Sequence, residues 1–282
     1  MHKLKDHGKL AGVMSKLKAG QTYLRWIPAK LSMCNSPDTL IVGAQKAGTT
    51  ALFSTLMQHP LLGSGNWKEL HYFSEDSIYN SRDHAWYHAK FPLRWGTPAG
   101  THFIDATPRY CTSLEYLERI RDYNSNMNVI FMMREPAARA FSHWSMQNRR
   151  KPNTSKFPHD PMPFDQAIAE NFERIASGKV DERFNYIERG LYLQTLKNIL
   201  QCFPKEQVLA IQNNEIKSLS EESSRQIQDF IGVPYVPLNR IDRNQNTNKS
   251  VPNPRTMCLL KEYFEPHNKA LFDYLNVPMN WS

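Results

Sequence analysis

The residues best suited to chemistry lie in the segment 39–52, which reads Thr-Leu-Ile-Val-Gly-Ala-Gln-Lys-Ala-Gly-Thr-Thr-Ala-Leu. An apolar run ends at Gly43, and Lys46 lies in the loop that follows it. The pattern predicts a strand, a loop and a helix start, where unpaired backbone N–H groups and the helix dipole attract an anion. The candidate phosphate-binding residues are Lys46, Ala47, Gly48, Thr49 and Thr50.

This loop differs from the phosphate loop of nucleotide triphosphatases. That motif reads G-x-x-x-x-G-K-[ST], with the lysine directly after the second glycine. Here Thr49 occupies that position, and Lys46 precedes Gly48. An ATP- or GTP-dependent kinase, which would require magnesium, is therefore an alternative that lacks its usual lysine.

A second anion site is predicted where an apolar run at 129–133 ends in Arg134. Pro136 fits the first turn of a helix, and Ser142 follows two turns later. Ligands of open α/β sheets bind outside the carboxyl ends of the strands. Because a guanidinium can bind two oxygens of one phosphate group, Arg134 and Ser142 are predicted to hold a terminal phosphate.

The segment 68–73, Lys-Glu-Leu-His-Tyr-Phe, carries the candidate base. On a strand, Glu69 and His71 would lie on one face. Group transfer to a hydroxyl needs a base near the acceptor oxygen and positive charge on the leaving phosphate, so Glu69 and Lys46 are predicted to supply these. His71 is predicted to orient Glu69 or to contact the acceptor. Two alternatives remain open: Glu69 is a solvent carboxylate paired with Lys68, and His71 is a structural histidine.

Strand and helix patterns alternate from Thr39 onward, which predicts a parallel sheet with helices on its faces. A polar, proline-containing stretch at 239–255 predicts a long loop that could act as a lid. The walls of the acceptor pocket are expected from 74–100, 150–163 and 177–190. The predicted strands are 39–43, 101–105, 128–133 and 207–212. The predicted helices are 49–58, 113–122, 136–149, 164–176, 188–202, 221–231 and 257–275.

Five segments, in this order, resemble the heparan sulfate N- and O-sulfotransferase group and related carbohydrate sulfotransferases. The resemblance extends over about 39–275. It implies a P-loop-like three-layer α/β domain, with a central parallel sheet flanked by helices, at 39–282, and a basic N-terminal extension at 1–38. It also implies metal-free, in-line transfer of a sulfuryl group from 3′-phosphoadenosine 5′-phosphosulfate (PAPS) to an acceptor hydroxyl or amine. The segments are Gln-Lys-Ala-Gly-Thr-Thr (45–50), Lys-Glu-Leu-His-Tyr-Phe (68–73), Asp-Ala-Thr-Pro-Arg-Tyr (105–110), Arg-Glu-Pro-Ala-Ala-Arg-Ala-Phe-Ser-His (134–143) and Arg-Gly-Leu-Tyr (189–192).

The resemblance implies roles for individual residues. Lys46 to Thr50 would hold the 5′-phosphosulfate, Arg134 and Ser142 the 3′-phosphate, and Glu69 would be the general base. Further cofactor contacts are implied for Tyr192 and Lys249. Acceptor contacts are implied for Asp105, Thr107 and Arg109.

The chain departs from the family pattern at two places. Ala106 stands where the family has an acceptor-side lysine. Loss of that lysine weakens contact with a sulfated or carboxylated polysaccharide, although the neighbouring cation Arg109 could replace it. The closing loop at 249–252, Lys-Ser-Val-Pro, lacks the family's glycine and arginine, and the region lacks paired cysteines. These differences predict a non-Golgi, microbial type of enzyme with a smaller acceptor.

Composition limits the alternatives. The chain has 282 residues and a formal net charge of +8, which suits an anionic cofactor or substrate. Nucleic acid is not favoured, because no compact run of basic and aromatic residues occurs. No apolar run approaches the roughly 18 residues of a membrane span, and no signal peptide is evident. A cytoplasmic location is expected, with the Golgi lumen applying only if the chain belongs to a longer, membrane-anchored protein. Four widely spaced cysteines predict neither zinc nor disulfides.

The N-terminus has a composition of its own. Residues 1–30 contain seven lysines or arginines and one acidic residue. Leu10, Val13, Met14 and Leu17 recur at helical spacing. This pattern fits a basic amphipathic helix on an acidic surface or a membrane interface, or a solvated helix packed on the domain. A non-catalytic module that binds an acidic polysaccharide is the third functional alternative.

Overall fold

The computed structural model describes residues 20, 22–150, 152, 158–179, 183–241 and 251–281. Its centre is a five-stranded sheet in the order β2-β3-β1-β4-β5, with every pair parallel. All five residues of β1 are buried, as expected for a central strand covered on both faces. The strands are β1 (Thr39–Gly43), β2 (Leu62–Ser64), β3 (His102–Ala106), β4 (Asn128–Met133) and β5 (Val208–Gln212).

Helices flank the sheet, which confirms the predicted architecture. The α-helices are α1 (Thr49–Leu56), α2 (Asp76–Tyr79), α3 (His84–His88), α4 (Leu114–Tyr123), α5 (Pro136–Asn148), α6 (Phe164–Ala176), α7 (Tyr192–Cys202), α8 (Asn213–Ser218), α9 (Glu221–Ile231) and α10 (Pro254–Leu275). Short 3₁₀ turns occur at Tyr110–Thr112, Glu188–Gly190 and Lys205–Gln207. Within the described ranges, no helix has the length and apolar character needed to cross a membrane.

The four predicted strands are present, with a one-residue shift in β3 and a start one residue later in β5. The predicted helix at 188–202 divides into a 3₁₀ turn and α7. Gly190, at the break, packs so closely that an added Cβ would lie 3.0 Å from both Phe264 and Pro136. The sequence patterns missed β2 and the short helices α2, α3 and α8.

Residues 22–30 form a further helix that packs against the domain. Thr22, Ala29 and Cys34 are buried, and Arg25 donates from Nη1 to the carbonyl oxygen of Phe91 at 3.2 Å. The chain from residue 22 onward is therefore in contact with the domain. The predicted amphipathic pattern at 10–17 lies outside the described residues, as does 242–250 of the predicted lid.

Two buried apolar clusters support the sheet edge that bears the site. The larger is built on β1, β3 and β4. The smaller joins α5, α6 and α10 through residues such as Ala140, Ile168 and Leu260. All four cysteines are free thiols, of which three are buried and Cys258 is exposed.

Candidate active site

A cleft of about 650 Å³ opens at the carboxyl ends of β1, β3 and β4. Most of the sequence-predicted site residues meet there, although they come from four separate parts of the chain. The predicted residues that line the cleft are Lys46, Gly48, Thr49, Thr50, Glu69, His71, Arg109, Arg134 and Ser142.

The turn between β1 and α1 forms one wall of this cleft. It is tied to β4, because the Ala44 N–H donates to the carbonyl oxygen of Met132 at 2.7 Å. Asn213 Nδ2 donates to the carbonyl oxygen of Ala47 at 2.8 Å, behind the turn. Gly48 has φ +103°, and a Cβ there would lie 2.3 Å from Asn213 Nδ2. Both the backbone angle and the close approach require glycine at this position.

The N-terminus of α1 faces the cleft as an anion-binding site. Gly48 caps the helix without a side-chain hydrogen bond. Within the described part of the chain, the backbone N–H groups of Thr49 and Thr50 have no protein acceptor. Unpaired N–H groups at a helix N-terminus, with the dipole behind them, are suited to a phosphate group. The buried Ala47 does not line the cleft but contributes its carbonyl to the turn.

Arg134 follows β4 and is held from behind by Tyr192. The Tyr192 hydroxyl donates to the Arg134 carbonyl oxygen at 2.8 Å and accepts from the Arg134 N–H at 3.3 Å. Arg134 Nη1 in turn donates to the carbonyl oxygen of Lys46 at 3.3 Å, which joins the two predicted phosphate sites. Burial raises the pKa of Tyr192 to about 12, so its hydroxyl stays protonated. Tyr192 is buried behind Arg134 and does not line the cleft.

The cleft carries a strong excess of positive charge. Burial and, to a smaller extent, the nearby guanidiniums of Arg149, Arg134 and Arg150 together lower the pKa of Lys46 to about 8. The Lys46 ammonium has no hydrogen-bond or ion-pair partner among the described residues. The described basic side chains that line the cleft are Lys46, Arg109, Arg134, Arg150, Arg183, Arg189, Lys217 and Arg240, against the single carboxylate of Glu69. Such a cluster is suited to a multiply charged anion.

The segment that carries Glu69 is not a strand, the conformation in which Glu69 and His71 would lie on one face. Glu69 and His71 have left-handed backbones, with φ +64° and +55°. Leu70, Tyr72 and Phe73 are all buried. A strand would send Tyr72 and Phe73 to opposite faces, so the chain turns to place both in the same core.

Glu69 nevertheless lies beside His71, as the prediction required. His71 Nε2 is 3.5 Å from Glu69 Oε2, and Lys68 Nζ donates to Glu69 Oε1 at 3.0 Å. Burial raises the pKa of Glu69, but the hydrogen bond from His71 and the charge and hydrogen bond of Lys68 outweigh it and bring the pKa to about 2. The other ring nitrogen of His71, Nδ1, is 3.3 Å from Ser74 Oγ. Glu69 is therefore an ionised carboxylate at the edge of the cleft.

The three predicted acceptor contacts are in different places. Arg109 lines the cleft, with Nη1 3.9 Å from Glu75 Oε2. Asp105 and Thr107 are buried instead, and Thr107 Oγ1 donates to Asp105 Oδ1 at 2.8 Å. Lys249 lies outside the described residues. Aromatic rings can stack on a sugar acceptor, but none of the candidate rings of Trp67, Trp86, Tyr87, Trp95 and Trp144 lines the cleft.

Sequence reasoning missed several residues of the site. Asn213 directly follows β5, so the rule that drew attention to Lys46 and Arg134 would also have found it. Arg189 Nη1 donates to Gln45 Oε1 at 2.6 Å and braces the phosphate turn. It belongs to the Arg-Gly-Leu-Tyr segment already quoted for the family resemblance. Arg150 follows α5, where only the run of basic residues at 149–151 would have indicated it.

An all-parallel sheet with a strand–turn–helix and a cationic cleft at its carboxyl edge defines an α/β protein with a site suited to anions. The family model for the sulfotransferase domain matches residues 36–254, and the chain therefore belongs to the sulfotransferase family. It is accordingly an enzyme that transfers a sulfuryl group.

Comparisons with known proteins agree with this membership. The chain is 30% identical over 244 residues to the mouse heparan sulfate glucosamine 3-O-sulfotransferase 6, covering 83% of this chain and 65% of that protein. It is 22% identical over 269 residues to human heparan sulfate glucosamine 3-O-sulfotransferase 5, covering 87% and 74%. A sulfotransferase crystal structure from Alicyclobacillus acidocaldarius shares the fold, with a TM-score of 0.67, 23% identity and coverage of 87% and 98%.

Proposed function

We propose that this protein transfers a sulfuryl group from PAPS to a hydroxyl group of a carbohydrate or small alcohol. An amine is the second type of acceptor. The observation that carries the proposal is the convergence of three elements in one cationic cleft. These are the phosphate turn with Lys46, the paired Arg134 and Ser142, and the ionised carboxylate of Glu69. The names of the mammalian relatives, which act on heparan sulfate glucosamine, support a carbohydrate acceptor.

The residues present fit PAPS. Its 5′-phosphosulfate would be held by the unpaired N–H groups of Thr49 and Thr50 and by the Lys46 ammonium. The turn keeps this shape because Gly48 permits φ +103° and the close approach of Asn213 from behind. Its 3′-phosphate would be held by Arg134 and Ser142, since a guanidinium binds two phosphate oxygens at once. PAPS supplies the activated sulfuryl group, and the protein binds and orients it.

The residues of the cleft would then stabilise the charge of the leaving phosphate and accept one proton from the acceptor. Lys46 stabilises negative charge on the departing phosphate, because its ammonium points into the cleft without a protein acceptor among the described residues. Glu69 accepts the proton of the acceptor hydroxyl at a carboxylate oxygen. His71 holds the Glu69 side chain in orientation through its contact with Oε2. Positioning and electrostatics would supply most of the rate, as in phosphoryl transfer.

The first test is calorimetric titration with 3′-phosphoadenosine 5′-phosphate (PAP) in the absence of magnesium. We expect micromolar binding that Arg134→Ala abolishes. The matched control is Arg225→Ala, which removes an exposed arginine paired with Glu221 on α9, away from the cleft. No PAP binding, or a preference for ATP with magnesium, would refute the donor assignment and favour the kinase alternative.

The second test addresses the base. Glu69→Gln keeps the shape of the side chain but removes the proton acceptor, so we expect kcat to fall by about 10²–10⁴. PAP affinity should be retained. Glu265→Gln, at an exposed carboxylate of α10 outside the cleft lining, is the matched control and should keep kcat. The readout is product mass after incubation with PAPS and heparan sulfate oligosaccharides or 4-nitrophenol. Full activity in Glu69→Gln would remove Glu69 as the base.

A further inference from the structure

The buried carboxylate of Asp105 lies at the carboxyl end of β3, beneath the segment that carries Glu69 and His71. It accepts three hydrogen bonds of 2.8 Å, from the Thr107, Tyr110 and Tyr87 hydroxyls. With its oxygens occupied and its side chain enclosed, Asp105 is not placed to contact an acceptor molecule in the cleft.

One of these three hydroxyls makes a second contact. The Tyr110 hydroxyl, which donates to Asp105, also accepts from the backbone N–H of Tyr72 at 3.1 Å. Tyr72 directly follows His71, so a continuous path runs from the buried carboxylate to the catalytic segment. The Tyr87 hydroxyl donates to the same oxygen, Asp105 Oδ2, but makes no hydrogen bond to the backbone of residues 69–72 in the described structure. The Tyr87 ring stacks on the Tyr72 ring at 4.6 Å, a contact that phenylalanine would keep.

The catalytic segment needs such an anchor. Both Glu69 and His71 have left-handed backbones, which are costly for residues that carry a Cβ and persist only where the surroundings hold them. The Tyr72 and Phe73 rings are buried immediately after them. A hydrogen bond that fixes the Tyr72 N–H therefore restrains the backbone conformation of the preceding residues, Glu69 to His71.

We propose that Asp105 and Tyr110 are positioning residues that hold the Glu69–His71 segment in its catalytic conformation through the Tyr72 N–H. This role rests on the proposed function of Glu69 as the base. Asp105 orients the Tyr110 hydroxyl as a donor, which directs an oxygen lone pair toward the Tyr72 N–H. The role also replaces the direct acceptor contact that was expected for Asp105.

Two tyrosine-to-phenylalanine variants form a matched pair. Each removes one buried hydroxyl that donates to Asp105 Oδ2 at 2.8 Å, but only Tyr110→Phe also frees the Tyr72 N–H. We expect Tyr110→Phe to lower kcat about 10- to 100-fold, because a displaced base loses alignment. PAP affinity should be unchanged. Tyr87→Phe should lower the melting temperature to a similar extent and keep kcat close to the wild-type value.

Hydrogen exchange gives a readout that does not depend on turnover. The Tyr72 amide should exchange faster in Tyr110→Phe than in Tyr87→Phe. Equal loss of kcat in both variants, or unchanged kcat and amide exchange in Tyr110→Phe, would overturn the proposal. If Tyr110→Phe fails to fold, Asp105→Asn should lower kcat with PAP affinity retained, and wild-type kcat in that variant would also overturn it. Failure of the wild-type protein to bind PAP would instead refute the proposed function.

A second observation is independent of the site. The helix at 22–30 buries Thr22 and Ala29 and turns a row of large apolar side chains to the outside. Leu24 is 81% exposed and Trp95 is 89% exposed. Trp95 follows Arg94, whose backbone N–H donates to the Met33 carbonyl oxygen at 2.8 Å. The residues of this N-terminal apolar face are Tyr23, Leu24, Ile27, Leu31, Met33 and Trp95.

Charge indicates what covers this face. The sequence before the helix contains five lysines and one aspartate. Apolar and aromatic residues beside a concentration of lysines are the composition of helices that lie in the interface of an anionic bilayer. We propose that the N-terminal apolar face docks on an anionic membrane surface.

Co-sedimentation with vesicles tests this proposal on the full chain. We expect binding to vesicles that contain phosphatidylglycerol and much weaker binding to phosphatidylcholine alone. The double variant Leu24→Asp, Ile27→Asp should lose this binding, whereas Leu259→Asp, at an exposed apolar position of α10, should keep it. Unchanged binding of the double variant would overturn the proposal. A dimer of the wild-type protein in light scattering, absent in the double variant, would also overturn it, because the face would then be assigned to a second copy of the chain.

Discussion

The affinity for PAP should fall as pH rises through the pKa of Lys46. That pKa is lowered to about 8, first by burial and then by the charges of Arg149, Arg134 and Arg150, with Glu69 acting in the opposite direction. A bound phosphate favours the ammonium form and raises the pKa in the complex. Binding is therefore at full strength below the pKa of the unliganded protein and weakens above it.

The magnitude follows from that pKa. At pH 7 Lys46 is largely protonated, and at pH 9 about one molecule in ten carries the ammonium, so affinity should fall about tenfold, or about 1.4 kcal/mol. The terminal phosphates of PAP contribute little, because their second pKa is about 6 and about nine in ten are already fully ionised at pH 7. The decline should end once the pH reaches the pKa of Lys46 in the complex.

Calorimetric titration at pH 7, 8 and 9, at constant ionic strength, measures this directly. Lys46→Arg keeps the charge across the range, so its affinity should not depend on pH. Lys46→Met should bind more weakly at pH 7 and should also show no decline. A wild-type affinity that is constant from pH 7 to 9 would refute the reasoning, as would the same decline in Lys46→Met.

Three further variants or conditions test the remaining parts of the site. Gly48→Ala should abolish PAP binding in calorimetry. Adding Asn213→Ala should recover only part of the binding, because it removes the clash between the new Cβ and Asn213 Nδ2 but φ +103° remains unfavourable for alanine. Full recovery would show that the backbone angle is unimportant. Tyr192→Phe leaves the buried Arg134 backbone groups unpaired, so denaturant unfolding should show a loss of about 1–3 kcal/mol and PAP affinity should fall; an unchanged affinity would show that Arg134 is positioned without it. Because the pKa of Glu69 is about 2, the base stays ionised above that pH, and kcat at saturating PAPS should not decline between pH 7 and 5 through loss of this base; a decline of about tenfold, as expected from protonation of a base with a higher pKa, would contradict the assignment.

The central strands could be predicted because burial on both faces makes their sequences continuously apolar. β1 and β4 have the predicted bounds for this reason. β2 was missed because it has three residues at the sheet edge, one of them Gly63. The ring of Phe103 packs over Gly63, where a Cβ would be 2.6 Å from Cε1, so packing requires a residue that weakens the strand signal.

The phosphate turn could be predicted because its geometry is local. A strand, a glycine that permits a left-handed backbone and a helix start are adjacent in sequence, and Lys46 and Arg134 both follow the carboxyl ends of neighbouring strands. Tyr192 came from the family resemblance, which does not distinguish a residue that touches a cofactor from one that holds the residue that does. Because Tyr192 is buried behind Arg134, it is a residue of the second kind, which holds Arg134 in place.

The Glu69 segment shows where local reasoning ends. Its sequence alternates in a way that a strand would explain, but the conformation is set by the burial of both Tyr72 and Phe73 and by the hydroxyl of Tyr110, which is 38 residues away in sequence. The side chain that could abstract a proton is thus adjacent to the phosphate turn only because an aromatic core, built from other parts of the chain, draws this segment inward. Spacing along the chain can identify Glu69 as a candidate, but the tertiary packing around Tyr72 determines that its carboxylate faces the same cleft as Lys46.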